Sequence, residues 1–243
     1  MAVPRKAPSA KTTATARAGA TARPHRVTPG EAAKLLAVLD PVIARLVAEV
    51  GPPRFGRPQE SHFAALVRAI VYQQLAGRAA AAIHSRLVVA LGGDVQPEAV
   101  LALPPEALRA AGLSGNKAAS LQDLALKVLD GTVALSPRGV SRQTDDEIIA
   151  RLSSVRGIGR WTSEMFLIFQ LRRPDVWPTG DLGVRRGYGL AWQVPMPTAR
   201  ELQPLGEPYR PYRSVVAWYC WRAAELYARD ARGIGAAEAA LTR

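Results

Sequence analysis

Leu152-Ser153-Ser154-Val155-Arg156-Gly157-Ile158-Gly159-Arg160-Trp161-Thr162 lies between two amphipathic stretches, and its reading decides the fold. Two glycines one residue apart permit a sharp turn with positive φ and let the backbone come close to another molecule. The N–H groups of such a turn, and of the first turn of the following helix, point outward, where they can hold a phosphate oxygen. Leu152, Val155 and Ile158 are placed to anchor the turn on a core. A hairpin of this kind grips nucleic-acid backbone rather than base edges. Taken alone, Gly-x-Gly equally suits an ordinary αα-corner.

Outward from the hairpin the pattern is helical almost throughout, with apolar residues at spacings of three and four between Gly, Pro and Asp breaks. Helices are predicted at about 30–50, 60–74, 76–91, 97–102, 104–110, 115–130, 144–153, 159–172, 181–191, 198–205 and 212–229, and no segment reads as a strand. The clearest breaks are Gly51-Pro52-Pro53 and the loop 135–142, which suggests a cleft between two helical lobes. The expected fold is therefore all-α and two-lobed, with a central lobe of about 60–175 and a second lobe built from 29–58 and 176–243. Residues 1–28 are rich in Ala, Thr, Pro, Arg and Lys without periodicity, and read as a disordered basic tail.

The chain of 243 residues carries a formal charge of +12. The tail holds six of the 32 Lys and Arg and no acid, leaving 26 basic against 20 acidic residues elsewhere. A basic folded part attracts polyanions, of which nucleic acid is the commonest inside a cell. The single cysteine, Cys220, excludes an intrachain disulfide, a four-cysteine zinc site and a cysteine-ligated iron–sulfur cluster. No apolar run approaches the roughly 20 residues that span a bilayer, and no secretory signal is present. The expectation is a monomeric cytoplasmic protein, associated with the nucleoid through DNA and without a membrane partner.

A second motif follows the hairpin: Asp175-Val176-Trp177-Pro178-Thr179-Gly180-Asp181-Leu182-Gly183-Val184-Arg185-Arg186. Hairpin, aspartate and spacing together resemble the helix-hairpin-helix (HhH-GPD) DNA glycosylases over residues 30–230. Within that superfamily the chain is most similar to the DNA-3-methyladenine glycosylase II branch. The resemblance implies that Asp181 is the catalytic carboxylate of a monofunctional glycosylase that excises alkylated bases such as 3-methyladenine from double-stranded DNA in base excision repair. Asp is also a preferred helix N-cap, and the two roles are compatible. Cleaving an N-glycosidic bond develops positive charge on the deoxyribose, which a fixed anion stabilises. Alkylated purines already carry positive charge and leave readily, so one carboxylate can suffice where sugar glycosidases use two.

The same resemblance assigns further residues. Trp161 stands where bifunctional relatives place a Schiff-base lysine, implying a water nucleophile and no AP lyase activity. Lys117, the nearest rival, reads as a surface or phosphate-binding residue. Leu75, with Gln74 beside it, corresponds to the wedge that fills the gap left by a flipped base. Trp218, and after it Trp161 and Tyr219, would form the base pocket, where Met165 replaces the tyrosine of some relatives. The spacing of Val215, Trp218, Trp221 and Leu226 equally allows all four to be core. Gly157, Gly159, Arg160 and Thr162 would hold DNA phosphate. The main-chain carbonyls of Ser153, Val155 and Ile158 would hold a monovalent cation, Na+ or K+, with no cofactor required. Two alternatives stand beside this reading: a non-enzymatic helix-hairpin-helix DNA-binding module, and a glycosylase for another base lesion. A bifunctional oxidised-base glycosylase would need lysine at position 161.

Overall fold

The computed structural model describes residues 27–241, and among them all regular structure is helical. Thirteen α-helices run in chain order: α1 Pro29–Leu39, α2 Pro41–Val50, α3 His62–Tyr72, α4 Gly77–Ala90, α5 Pro97–Ala102, α6 Pro105–Ala110, α7 Gly115–Leu129, α8 Pro137–Ser141, α9 Asp145–Ser153, α10 Arg160–Met165, α11 Leu182–Trp192, α12 Ala199–Leu205 and α13 Arg213–Leu241. The tail expected over 1–28 lies outside the described residues except for Val27 and Thr28. Thr28 belongs to the fold, because it forms a capping box with Glu31 at the start of α1.

The long first helix expected over 30–50 is two helices. Asp40 leaves helical geometry at φ −137°, and its carboxylate accepts the Val42 N–H at 2.7 Å while Pro41 takes the first position of α2. The same carboxylate accepts from the Tyr209 hydroxyl at 2.6 Å and Trp192 Nε1 at 3.1 Å, so the break docks the N-terminal pair on the C-terminal helices. The loop expected over 135–142 contains the short helix α8, capped by Ser136. The helix expected over 159–172 changes to a π turn at Phe166–Gln170, which shifts the facing of the residues after it.

Two apolar clusters form the core. One gathers α3, α4, α7, α9 and the π turn, with Leu66, Val67, Ile70, Leu87, Leu121, Leu124 and Leu167 fully buried. The other gathers α1, α2, α11 and α13 around Ile43, Leu46, Val184, Val216 and Tyr219. Phe55 and Trp221 pack against both. Helices α11 and α13 cross so closely that a Cβ on Gly187 would sit 1.7 Å from the Cys220 carbonyl oxygen. This crossing brings the residue capping α11 beside the aromatic face of α13.

Candidate active site

Asp181 is delivered by a loop whose every turn is tied down. At its start, Asp175 receives Arg213 Nε at 2.7 Å and Arg210 Nη1 at 2.7 Å. Ser214 Oγ accepts the Val176 N–H at 2.9 Å and donates to the Arg173 carbonyl at 2.7 Å. Trp177 Nε1 donates to the Leu202 carbonyl at 2.9 Å. Asp181 then caps α11, with Oδ1 accepting the Val184 N–H at 2.8 Å.

Two indoles complete the shell of this carboxylate. Trp221 Nε1 donates to Oδ1 at 2.9 Å, and Trp161 Nε1 donates to Oδ2 at 2.6 Å. The carboxylate is 8% exposed and carries three N–H donors, so its charge is desolvated yet compensated. Gly183 makes room for this arrangement: a Cβ there would lie 2.8 Å from Trp221 Cδ1 and 3.1 Å from Asp181 Oδ1. Trp221 also stacks on Phe169 from the π turn, with ring centroids 5.5 Å apart.

Two cavities share Phe169 as a wall. One of about 700 Å³ is walled by Leu182, Gly183, Trp218, Trp221 and Phe169 with Arg54, Arg186 and Arg222. The other, about 690 Å³, is walled by Tyr72, Thr162, Met165, Phe166 and Phe169 with Glu60 and Arg68. Trp161, at 51% exposure, stands with its ring open to solvent and its N–H on the carboxylate. Asp181 itself lines neither cavity; the adjoining Leu182 and Gly183, and its hydrogen-bond donor Trp221, wall the first.

Glu164, one turn after Arg160, is buried, and burial pushes its carboxyl above the usual range against the opposing pull of Arg160. Arg160 Nε donates to Glu164 Oε1 at 2.8 Å. This arginine, expected on phosphate, is thus paired within the protein while its side chain stays largely exposed.

The hairpin has the expected anchors: Leu152, Val155 and Ile158 are all buried in the first cluster. Gly157 has φ +76°, and a Cβ on it would meet Ser120 Oγ of α7 at 2.6 Å, so both backbone and contact demand glycine. Gly157 and Gly159 are exposed, as a phosphate grip requires. Two of the turn's N–H groups point inward instead: Arg156 N–H donates to Asp123 at 2.7 Å, and Ile158 N–H to the Val155 carbonyl at 3.1 Å. The Arg156 N–H bond is the main reason the Asp123 carboxyl is held below its ordinary range. Lys127 bonds both Asp123 and the Ser154 carbonyl, tying the hairpin to α7. Of the carbonyls expected to hold a cation, that of Ser153 lies at the end of α9 and that of Val155 already accepts the Ile158 N–H.

Between α3 and α4 the chain makes a tight turn over 73–76. Leu75 is 39% exposed at its tip, and Gln74 adopts φ +55°. Gln73, which the sequence did not single out, donates from Nε2 to the Gly157 carbonyl at 2.9 Å. Lys117 is partly buried, and its ammonium donates to the Val71 and Gln73 carbonyls at 2.7 and 2.8 Å.

Among the sequence-predicted pocket residues, Trp161 reaches Asp181 and Met165 lines the second cavity, but Tyr219 does not belong to the site. Its ring is fully buried in the second cluster and its hydroxyl donates to the Gly51 carbonyl at 3.0 Å. Trp218 lines a cavity with one face covered by the Arg222 guanidinium, 5.5 Å from the ring centroid. Trp221, three residues on and readable only as a core candidate, makes the carboxylate contact instead. Thr162 is buried with its hydroxyl 3.5 Å from Gln73 Nε2, and so faces the neighbouring turn rather than solvent phosphate. Phe169 was missed because the π turn breaks the helical periodicity that would have placed it.

The chain matches the HhH-GPD superfamily base excision DNA repair protein model over residues 67–211. It is 37% identical over 196 residues to DNA-3-methyladenine glycosylase 1 of Schizosaccharomyces pombe, covering 79% of this chain and 86% of that protein. Among solved structures it is similar to the S. pombe 3-methyladenine DNA glycosylase Mag1 in complex with abasic DNA, at 35% identity and a TM-score of 0.69, covering 79% of this chain and 95% of that one. It is also similar to a DNA-3-methyladenine glycosidase from Bacillus halodurans, at 30% identity and a TM-score of 0.75, covering 82% and 91%. No described helix is long and apolar enough to cross a membrane.

Proposed function

We propose, since the chain belongs to the HhH-GPD superfamily of base excision DNA repair proteins, that it is a monofunctional DNA glycosylase releasing alkylated bases such as 3-methyladenine from duplex DNA. The observation that carries this reading is the Asp181 carboxylate, buried, held by three N–H donors, one of which, Trp221, walls an aromatic-lined cavity. A module that only gripped phosphate would need neither feature.

In the reaction the bond from C1′ to the base nitrogen breaks with its electron pair leaving on the base. A cationic alkylated base departs neutral, and the positive charge passes to the deoxyribose ring. Asp181, fixed by Val184, Trp221 and Trp161, stabilises that charge without having to reorganise. Water then adds to C1′ and gives up its proton to the Asp181 carboxylate, from which it passes to solvent. The remaining edge of the carboxylate is the group placed to orient that water. Aromatic rings at Phe169 and Tyr72 in the second cavity, and the exposed ring of Trp161, offer faces for the extruded cationic base. Leu75 fills the vacated stack.

Two side chains support hydrolysis without strand cleavage. Position 161 is an indole, and the Lys117 ammonium is engaged with two carbonyls. A monovalent cation, where bound, would be held by the carbonyls of Ser153, Val155 and Ile158 and would supply positive charge between hairpin and phosphate. The protein acts on this reading as a monomer on DNA.

The test is chromatographic release of free base from methylated duplex DNA, comparing wild type with Asp181→Asn and probing the product strands for nicks. Release that disappears in the variant and leaves unbroken abasic strands is expected. No release by the wild type despite salt-sensitive binding would shift the reading to another lesion or to a non-enzymatic module.

A further inference from the structure

The turn that carries Leu75 has little of its own to hold it. Its internal bonds, Gln73 N–H to the Ile70 carbonyl and Leu75 N–H to the Tyr72 carbonyl, are both 3.4 Å long. Gln74 occupies the left-handed region at φ +55°, unfavourable for a residue with a side chain. Helix α4 starts from Ala76 with no side-chain cap. A turn so lightly restrained would not by itself fix how far an apolar tip projects.

The missing restraint comes from outside the turn. From below, Lys117 of α7 reaches the Val71 and Gln73 carbonyls at 2.7 and 2.8 Å, capping the end of α3 with a half-buried positive charge. From the side, Gln73 Nε2 donates to the carbonyl of Gly157, the hairpin glycine, at 2.9 Å. Gly157 is itself seated on Ser120, one helical turn beyond Lys117 on α7. Asn116 and Asp123 of that helix receive the Arg156 guanidinium and N–H at 3.1 and 2.7 Å. One helix therefore carries both the phosphate-gripping hairpin and the Leu75 turn, and Gln73 joins the two directly.

We infer that Gln73 and Lys117 are positioning residues that set the insertion depth of Leu75 relative to the hairpin. Phosphate held at the hairpin fixes the register of the duplex on the protein, and the Gln73–Gly157 bond converts that register into a fixed distance to the wedge. Loss of the bond leaves hairpin and pocket intact but lets the wedge recoil when it meets the base stack. The inference rests on the wedge role of Leu75.

The experiment follows base extrusion by stopped-flow fluorescence of 2-aminopurine placed beside an alkylated purine, together with single-turnover base release, for Gln73→Ala, Lys117→Met and Leu75→Ala. For Gln73→Ala, extrusion and release from paired duplex should slow about tenfold, as expected for one hydrogen bond lost in the transition state. Affinity for undamaged duplex and its salt dependence should be unchanged. The deficit should shrink when the damaged nucleotide faces an abasic residue, because extrusion then costs less. A role in the fold alone would slow both substrates equally, and that result, or unchanged extrusion, overturns the inference. Lys117→Met should show the same pattern, with thermal unfolding checking that it folds. Normal extrusion by Leu75→Ala would reject the wedge reading itself, whereas slowed extrusion by Leu75→Ala with normal extrusion by Gln73→Ala would reject only the link to the hairpin.

Discussion

Asp181 caps α11, and the proposed role of reacting carboxylate depends on residues far away in sequence. Changing it to Asn keeps an N-cap, so DNA binding should persist, while base release should fall by about 10²–10³-fold or more, measured in single turnover. Trp221→Phe keeps the stack on Phe169 but removes one donor to Oδ1. It should lower kcat about tenfold with little change in KM, and equal losses in both would show that Trp221 serves binding instead. Glu164 gives a pH signature. Its carboxyl is raised above 4.5 by burial, so the folded state binds more protons than the unfolded one in the window just above that value. Its contribution is complete below pH 4.5 and is lost as pH rises through the folded value. The stability of wild type minus that of Glu164→Gln should therefore decline with pH in that window in urea titrations. A flat difference would contradict the assignment.

At the scale of elements, local signals were legible wherever a helix begins with a capping side chain. Thr144 with Glu147 opens α9 and Ser61 opens α3, and the predicted boundaries there fall within two residues of the structure. The Asp40-Pro41 boundary carried the same kind of signal, an N-cap followed by proline at N1, yet the continuous apolar spacing across it reads as one helix. Three acceptor contacts at Asp40 make that junction structural. Asp40→Ala should cost about 2–4 kcal/mol in urea unfolding, because it removes a cap and leaves the buried Tyr209 hydroxyl and Trp192 N–H without their acceptor. Asp40→Asn should cost less, since it can still cap α2. The π turn was not legible: Phe166 to Phe169 are apolar at every position, and the packing of Phe166, Leu167 and Ile168 into the first cluster leaves no periodic signal to mark the wider turn.

For the whole molecule, the two apolar clusters meet at Phe55 and Trp221, and the aromatic-lined cavities open beside that junction. A basic molecule with the proposed phosphate-gripping hairpin should bind duplex DNA with an affinity falling linearly in log–log terms with salt; a flat dependence measured by fluorescence anisotropy would remove DNA as the partner. The amino-acid sequence by itself determined the all-α class, the hairpin with its buried anchors, and Asp181 as a capping carboxylate. These depend on helical periodicity, glycine conformation and caps, all of which act over a few residues. Tertiary structure alone decided that Trp221 rather than Tyr219 faces Asp181, that Lys117 is spent on the Leu75 turn, and that Gln73 reaches the hairpin. Each is a contact between residues 40 or more positions apart, and which face of an apolar helix meets which neighbour is set by the packing of the whole core rather than by the helix's own pattern.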